Sequence, residues 1–483
     1  MATSTTTQPM LQQQTWLNYR TIWRWHFYAG LFCIPFVLWL ATTGSIYLFR
    51  PQIEAWLDQP YEHLLITGPR ATAAAQVKVA VAAVSGSNLH DYQLPRTAHS
   101  AVQIIVGRGA EEFRVYVNPY TLAVMKVVNE DHRLMKRIFY LHGELLMGDR
   151  GSYIVETAAS WAIVMILTGL FLWWPRNATG LGGVLYPRLR QGPRIFWRDI
   201  HAVTGIWVSF LALSFLFTGL PWAKSWGGYL KAARAITGKA IVHEDWTTGR
   251  SSEIAARLAM DKNSLAVATD GQSMSMSMHM GHKGMAMGLP PSPNAYAPLD
   301  RLIGPVSRLH FAFPVLITPP MRRHGPWTAR SDAQDRVLRD QVTLDPATGT
   351  ILTRLNFGQR PLIDRLVGIG VAAHEGHLYG WLNQVVNLCT AMGLIVLCLS
   401  ALVLWWRRRP EGALGAPQKS VKPHYTFAFA ALVLALAIYL PLFGFTLVTV
   451  VAVERFILRR LPAAQQWLGL SDRKSAPGAL SAA

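Results

Sequence analysis

Residues Leu141–Arg176 read LHGELLMGDRGSYIVETAASWAIVMILTGLFLWWPR, a histidine, a glycine-rich turn, a long apolar run and an aromatic, cationic stop. An apolar run of roughly 20 residues, rising 1.5 Å per residue as a helix, matches a hydrocarbon core of roughly 30 Å. The closing tryptophans and arginine are the amphipathic boundary that such a span requires. The layout recurs at Ala373–Pro410, AHEGHLYGWLNQVVNLCTAMGLIVLCLSALVLWWRRRP. The step from His142 to Trp173 equals that from His374 to Trp405, and Gly148 and Gly380 follow their histidines at equal steps. A second pair matches in the same way. His26 is followed by Gly30 and Thr43-Gly44, and His201 by Gly205 and Thr218-Gly219, at identical spacings. The chain therefore reads as a duplicated unit of span, outer domain, span, an organisation in which a shared site often lies between the halves.

Working outward, 51% of the 483 residues are apolar, and long apolar runs fall at Phe27–Leu48, Ile154–Trp174, Val203–Trp222, Leu382–Trp406 and Phe427–Val451. The expected fold is a polytopic α-helical membrane protein, a four-helix core from a duplicated unit plus a C-terminal fifth hydrophobic helix. Pro441 and Gly444 predict a kink, break or re-entrant turn in that fifth stretch. Short-loop cations, Arg20 and Arg24, then Arg176–Arg198, then Arg407–Lys422, place the N-terminus in the cytoplasm and the long segments outside. Because the cations cluster beside spans, the net charge of +19 speaks for anchoring in a lipid bilayer and not for nucleic acid. Cys33, Cys389 and Cys398 all lie in apolar runs, which supports neither a disulfide framework nor an iron–sulfur site.

Both outer segments carry strand-like runs. In the first, a helical stretch Ala71–Val84 precedes Ala101–Val106, Phe113–Val117 and, after the turn Asn118-Pro119, Ala123–Val128. In the second, Asp340–Leu344 and Thr350–Leu355 flank the turn Asp345–Gly349. Each reads as a small α+β module. An insert at 270–293 is biased to Met, Ser, Gly and Pro and reads as a mobile loop. Its Met274, Met276, Met278, His279, Met280, His282, Met285 and Met287 form a candidate metal-binding set, since thioethers favour Cu(I) and imidazoles add Cu(II) affinity.

Four histidines occupy repeat-related places at span ends, His26 and His201 at one membrane face and His142 and His374 at the other. One pair per face is what two bis-histidine haems need, because a planar haem is clamped by axial ligands from opposing helices. Any one interfacial histidine is equally an amphipathic boundary residue; four at duplicated spacings favour ligation. His377 competes with His374, three residues on and on the same helix face. Gly30 and Gly205, one turn after their histidines, leave room for a flat ring. Glu144, Glu156 and Glu375 are candidate acceptors that orient imidazoles or carry protons. Arg24, Arg194 and Arg198 are candidate propionate partners. With no CxxCH in the chain, haem b without a covalent link is expected, in two copies. No GxSxG, HExxH or P-loop occurs, so no nucleophile or general base is expected.

Together WRWHFYAG…ATTGSIYLF, LHGELLMGDRG…TGLFLWWPR, FWRDIHAVTGIW…FTGLPW and HEGHLYGWLNQ…LWWRRRP resemble the PepSY-associated transmembrane family. This family is also called iron-regulated inner-membrane proteins, and it includes ferric-siderophore reductases that bind haem. The resemblance runs from about Thr21 to Leu461, with the four motifs in order. It implies periplasmic PepSY modules in the two strand-bearing segments, b-type haem in the helices, and family histidines at His26, His142, His201 and His374, with His377 adjacent. The implied organisation begins with a disordered cytoplasmic N-terminus 1–21, span 22–49 and periplasmic PepSY-like domain 50–150. Span 152–175, cytoplasmic loop 176–199 and span 200–222 follow. A second periplasmic PepSY-like domain 223–377 then holds the insert, before span 378–406, cytoplasmic loop 407–425, fifth span 426–458 and tail 459–483.

The function so implied is that of a bacterial inner-membrane oxidoreductase. It takes electrons from a cytoplasmic donor or a quinol, and its periplasmic substrate is a ferric siderophore. The Met/His insert is foreign to the siderophore-reducing members and raises a copper complex, handled by a Cu(II) reductase or binding protein, as the alternative. A non-redox PepSY binding module on a membrane anchor is the further alternative.

Overall fold

The computed structural model describes residues 19–176, 179–236, 248–268, 296–320, 325–417 and 427–470, so the Met/His insert at 270–293 lies outside the described residues. In chain order, helices α1 (Tyr19–Tyr47), α2 (Arg50–Asp58) and α3 (Ala73–Ala83) lead into strands β1 (Asn88–Gln93), β2 (Val102–Arg108), β3 (Glu111–Val117) and β4 (Val124–Asn129). Helices α4 (Leu134–Glu144), α5 (Asp149–Trp173), α6 (Pro193–Gly219), α7 (Lys224–Ile236), α8 (Gly249–Ala268) and α9 (Pro298–Ser307) follow. Strands β5 (Val315–Thr318), β6 (Trp327–Ser331), β7 (Gln341–Leu344) and β8 (Ile351–Leu355) complete the sheet. Helices α10 (Leu362–His374), α11 (Trp381–Arg408), α12 (Phe427–Tyr439), α13 (Pro441–Phe456) and α14 (Pro462–Leu468) end the described chain.

Among the described residues five helices are long and apolar enough to cross a membrane: α1, α5, α6, α11 and the stretch Pro441–Arg460. The chain is a membrane protein of the polytopic helical kind. It divides into two units, one of Met1–Leu38, Thr157–Leu216 and Gly393–Ala483, the other of Trp39–Glu156 and Phe217–Met392.

Among the described residues the second unit holds all the strands. They do not form two separate modules, as the two strand-bearing segments had suggested, but one eight-stranded antiparallel sheet of order β4-β3-β2-β1-β5-β6-β7-β8. The halves join through their first strands, with Tyr92 opposite Ile317 and Gln93 opposite Leu316. One core runs across the join: Val77 and Ala80 of α3 and Leu299, Leu302 and Val306 of α9 pack with Ile104, Val115, Ile317, Ala329 and Val342 of the sheet. Strand side chains alternate between faces, so Glu112 and Arg114 point away from that core. There α8 is bound by charge, with Arg257 Nε 2.9 Å from Glu112 and its Nη2 2.9 Å from Asp131. Thr72 caps α3 by accepting from the Ala75 N–H.

In the first unit α1 lies against α5, where Cys33 Sγ meets the Ala158 carbonyl at 3.8 Å, and α6 against α11, where Gly393 abuts Val208. The fifth hydrophobic stretch is not one helix over 426–458 but two, α12 and α13, broken at Leu440 ahead of Pro441. A Cβ at Gly444 would lie 3.1 Å from Ala437, so the helices double back on each other. The hairpin starts with Phe429 against Trp25 and turns where Phe443 packs on Trp161 and Thr446 accepts from the Trp161 indole. It comes back with Leu468 and Gly469 at Tyr28 and Arg24. Both its ends therefore lie at the His26 end of α1.

Two predictions follow from these joins. Ile317 is fully buried, and Ile317→Ala should cost about 2–5 kcal/mol. In one cooperative sheet, amide hydrogen exchange should quicken in β1 as well as in β5; quickening confined to β5–β8 would show halves that open independently. For the hairpin, compartment-specific reporters fused to the two chain termini should report the same compartment, and opposite compartments would show a full crossing.

Candidate functional site

Two histidine pairs form, one within each unit. In the first unit His26 of α1 faces His201 of α6 with ring centroids 6.4 Å apart and planes at 71°. In the second His142 of α4 faces His374 of α10, again at 6.4 Å and at 72°. The sequence pairing of His26 with His201 and of His142 with His374 is thus a spatial one.

Each imidazole is held at Nδ1 by a third helix. His26 Nδ1 lies 3.0 Å from the Met165 carbonyl and 3.2 Å from Thr168 Oγ1; His201 Nδ1 lies 3.2 Å from the Leu397 carbonyl and from Ser400 Oγ. His142 Nδ1 meets Thr43 Oγ1 at 3.0 Å, and His374 Nδ1 meets Thr218 Oγ1 at 3.1 Å. Next to three of these hydroxyls stands a glycine. A Cβ at Gly169 would come within 3.0 Å of His26, at Gly44 within 3.1 Å of His142, and at Gly219 within 3.3 Å of His374. Side-chain-free backbone is what lets the rings approach. The Thr-Gly repeats at 43 and 218 were visible in the sequence as spacing; Thr168-Gly169 and Ser400-Ala401 were missed, although they sit at matched places in the repeated span.

The donor set suits a metal that brings its own equatorial ligands. Two imidazoles bonded through Nε2 on opposite sides of one ion, at about 2.0–2.1 Å each, have ring centroids about 6.3 Å apart. Both pairs show nearly that separation. An Nδ1–H that donates to a carbonyl or hydroxyl oxygen fixes the tautomer in which Nε2 carries the lone pair. At His142 burial, and then the neighbouring His374, push the pKa down to about 4, which keeps the ring neutral as ligation requires. Among the described residues no group of three or more His, Cys, Asp or Glu gathers as a metal site.

The other candidates are distributed differently. Gly30 and Gly205 stand beside Met165 and Leu397, where an added Cβ would make ordinary contact at 3.8 and 3.7 Å. The three carboxylates named from the sequence have different surroundings. Glu156 accepts from the Ser225 and Trp226 N–H groups at 2.8 and 3.0 Å, and so anchors the start of α7. Glu144 ends α4 with its Oε2 buried and, among the described residues, without a hydrogen-bond partner. Glu375 follows α10 among Tyr47, Arg50 and His377. His377 stands apart from the pair, its Nε2 buried and unpartnered among the described residues, and burial lowers its pKa. Arg24 donates to the carbonyls of Pro417 and Gly469, and Arg198 pairs with buried Asp199. Met274, Met276, Met278, His279, Met280, His282, Met285 and Met287 lie outside the described residues.

Comparison with known families finds that the sequence model of the PepSY-associated TM region matches residues 23–408, a stretch that contains all four paired histidines. No curated protein matches the chain.

Glu144 gives a pH test that is independent of any cofactor. Burial, with Glu253 adding, raises its pKa from 4.5 to about 7. The unfolded carboxyl ionises near 4.5 while the folded one keeps its proton to about 7, so this group lowers stability as pH rises through that window. Glu144→Gln should therefore raise the melting temperature above pH 7 and leave it unchanged below about 4.5; an equal effect at both would refute the assignment.

Proposed function

Because the chain belongs to the PepSY-associated TM family, we propose that it is an inner-membrane metalloreductase. In this reading it holds two b-type haems, one between His26 and His201 and one between His142 and His374. Electrons pass from a cytoplasmic donor or a quinol to a ferric siderophore in the periplasm. The observation that carries it is the repeated pair of imidazoles, each pair at 6.4 Å and each ring tethered through Nδ1.

A bound haem supplies reversible one-electron chemistry. The chain's own residues do the rest. His26, His201, His142 and His374 offer Nε2 as the ligand atom, while the Met165 and Leu397 carbonyls and the Thr43, Thr168, Thr218 and Ser400 hydroxyls keep the rings from turning. The substrate step is the gain of one electron by Fe(III), giving Fe(II), with no bond made to protein. Hard oxygen ligands hold the softer ferrous ion less well, so reduction loosens the chelate. The cation-rich links at 176–198 and 407–422 support a cytoplasmic side at the His26 end. A second reading, with Cu(II) as substrate, has the thioether-rich sequence 274–287 in its favour.

The test is an absorption spectrum of the detergent-purified protein, oxidised and reduced, with haem counted per chain. Two low-spin b-type centres are expected, with His26→Ala or His201→Ala removing one and His142→Ala or His374→Ala the other. Reoxidation of the reduced protein by a ferric siderophore, measured against Cu(II), then assigns the substrate. A colourless protein that cannot be reconstituted with haem overturns the proposal.

A further inference from the structure

The segment His374–His377 offers two imidazoles three residues apart, and the two halves of the chain differ in how they treat it. In the first half α4 ends directly against α5. A Cβ at Gly151 would fall 1.6 Å from the Glu144 carbonyl, so nothing but backbone separates the helices. The Trp39 indole N–H reaches the Leu141 carbonyl at 3.1 Å. At the matched places of the second half stand Asn383, for Gly151, and Asn387, for Val155. Asn387 is 4% exposed, inside α11. A buried amide there is costly unless it is fully bonded.

The bonds it donates go to the histidine segment. Asn387 Nδ2 donates to the Ala373 carbonyl at 2.7 Å and to the His374 carbonyl at 3.1 Å. Asn383 Nδ2 donates to the Ala373 carbonyl at 3.2 Å, and its Oδ1 accepts from the Leu378 N–H at 3.1 Å. The two amides also bond each other, Asn383 Nδ2 to Asn387 Oδ1 at 3.1 Å. The result is a clamp across residues 373–378. These carbonyls belong to the last turn of α10, and the Ala373 carbonyl also accepts from the Gly376 N–H at 3.2 Å. Gly376, at φ +79°, turns the chain immediately afterwards.

We propose that Asn387, supported by Asn383, is the positioning residue that selects His374 over His377 as the partner of His142. With the clamp closed the His374 ring meets His142, Thr218 and the Trp222 ring, while the His377 Nε2 is shut away without a partner among the described residues. This rests on the haem reading above and settles which imidazole of the pair serves it.

The experiment uses the purified, haem-loaded full chain, read by potentiometric titration and by carbon monoxide binding to the reduced protein. In Asn387→Val, which installs the first half's residue, the His142/His374 centre should titrate at a shifted potential and part of it should bind carbon monoxide. The His26/His201 centre should be unchanged and serves as the internal control for folding. Asn387→Asp keeps the side chain's shape but loses the donors. It should act like Asn387→Val, and carries the test if valine removes both centres. His377→Ala should leave both centres as in the parent. Two low-spin centres that ignore both Asn387 variants, or a His142 centre lost in His377→Ala and kept in His374→Ala, overturn the clamp. A parent protein without two low-spin centres overturns the haem reading itself, and the clamp's role with it.

Discussion

Three of the four paired imidazoles depend on a hydroxyl that has already given its own hydrogen away. Thr43 Oγ1 donates to the Trp39 carbonyl at 2.8 Å, Thr168 Oγ1 to the Val164 and Met165 carbonyls at 2.9 Å, and Ser400 Oγ to the Leu397 carbonyl at 2.9 Å. Such an oxygen has lone pairs to offer and no hydrogen, so the ring nitrogen facing it must be the protonated one. A neutral hydrogen bond of this kind contributes only about 1 kcal/mol net. Three of them would do little for the stability of a chain this long, but they decide which nitrogen of each ring is left as a base. The demand propagates into the backbone. For the hydroxyl to reach the ring the helices must come close, and Gly44, Gly169 and Gly219 are where a methyl would obstruct them.

The same duplication shapes the sheet. Taken alone, each half would be a four-stranded meander with β1 or β5 as an open edge, presenting unpaired N–H and C=O groups. Pairing β1 with β5 closes both edges at once and lets α3 and α9 share one core. Tyr92 shows how complete that core is: it is 1% exposed, and its hydroxyl reaches Gln76 of α3 at 2.9 Å. The two strand-bearing segments could be read from the sequence as repeats, but a repeat does not say whether its copies stand apart or merge. Merging is decided by what the first strand of each copy needs on its open side.

Apolar length and residue spacing were legible; partners were not. The spans, the helix at 73–83, the strands at 102–108, 111–117 and 124–129 and the last hairpin all announce themselves by hydropathy, alternation and turn residues. Strands β1, β5 and β6 do not. In β1 the polar His90, Asp91 and Gln93 are buried because Glu112, Arg330 and Arg114 meet them, a compensation invisible to a hydropathy pattern. Glu156 is a matching case. A carboxylate deep in a span reads as chemistry when its partner, the start of α7, is far along the chain. The pairing of His142 with His374 was readable because duplication places equivalent residues across an approximate symmetry. Asn387 is matched in the first half by Val155 and not by a second amide, and so gave no such signal.

Arg24 carries the same lesson in its strongest form. Two residues from His26, it reads as an anion's partner, yet it is only 8% exposed and its guanidinium is taken up by backbone carbonyls of Pro417, Leu468 and Gly469. A cation withdrawn from water must be met by acceptors, and Leu468 and Gly469 close α14, where the helix dipole leaves carbonyls exposed and negative. Tyr28, one turn on, donates to the Leu468 carbonyl at 2.5 Å, and the Leu414 N–H donates to the Trp467 carbonyl at 2.9 Å. Stripping those carbonyls away would leave a buried charge unpaired, which costs several kcal/mol where losing a surface ion pair costs at most about one. The C-terminal hairpin is therefore held where it is by the first span's own motif, and the end of α1 that presents His26 is complete only with that hairpin in place.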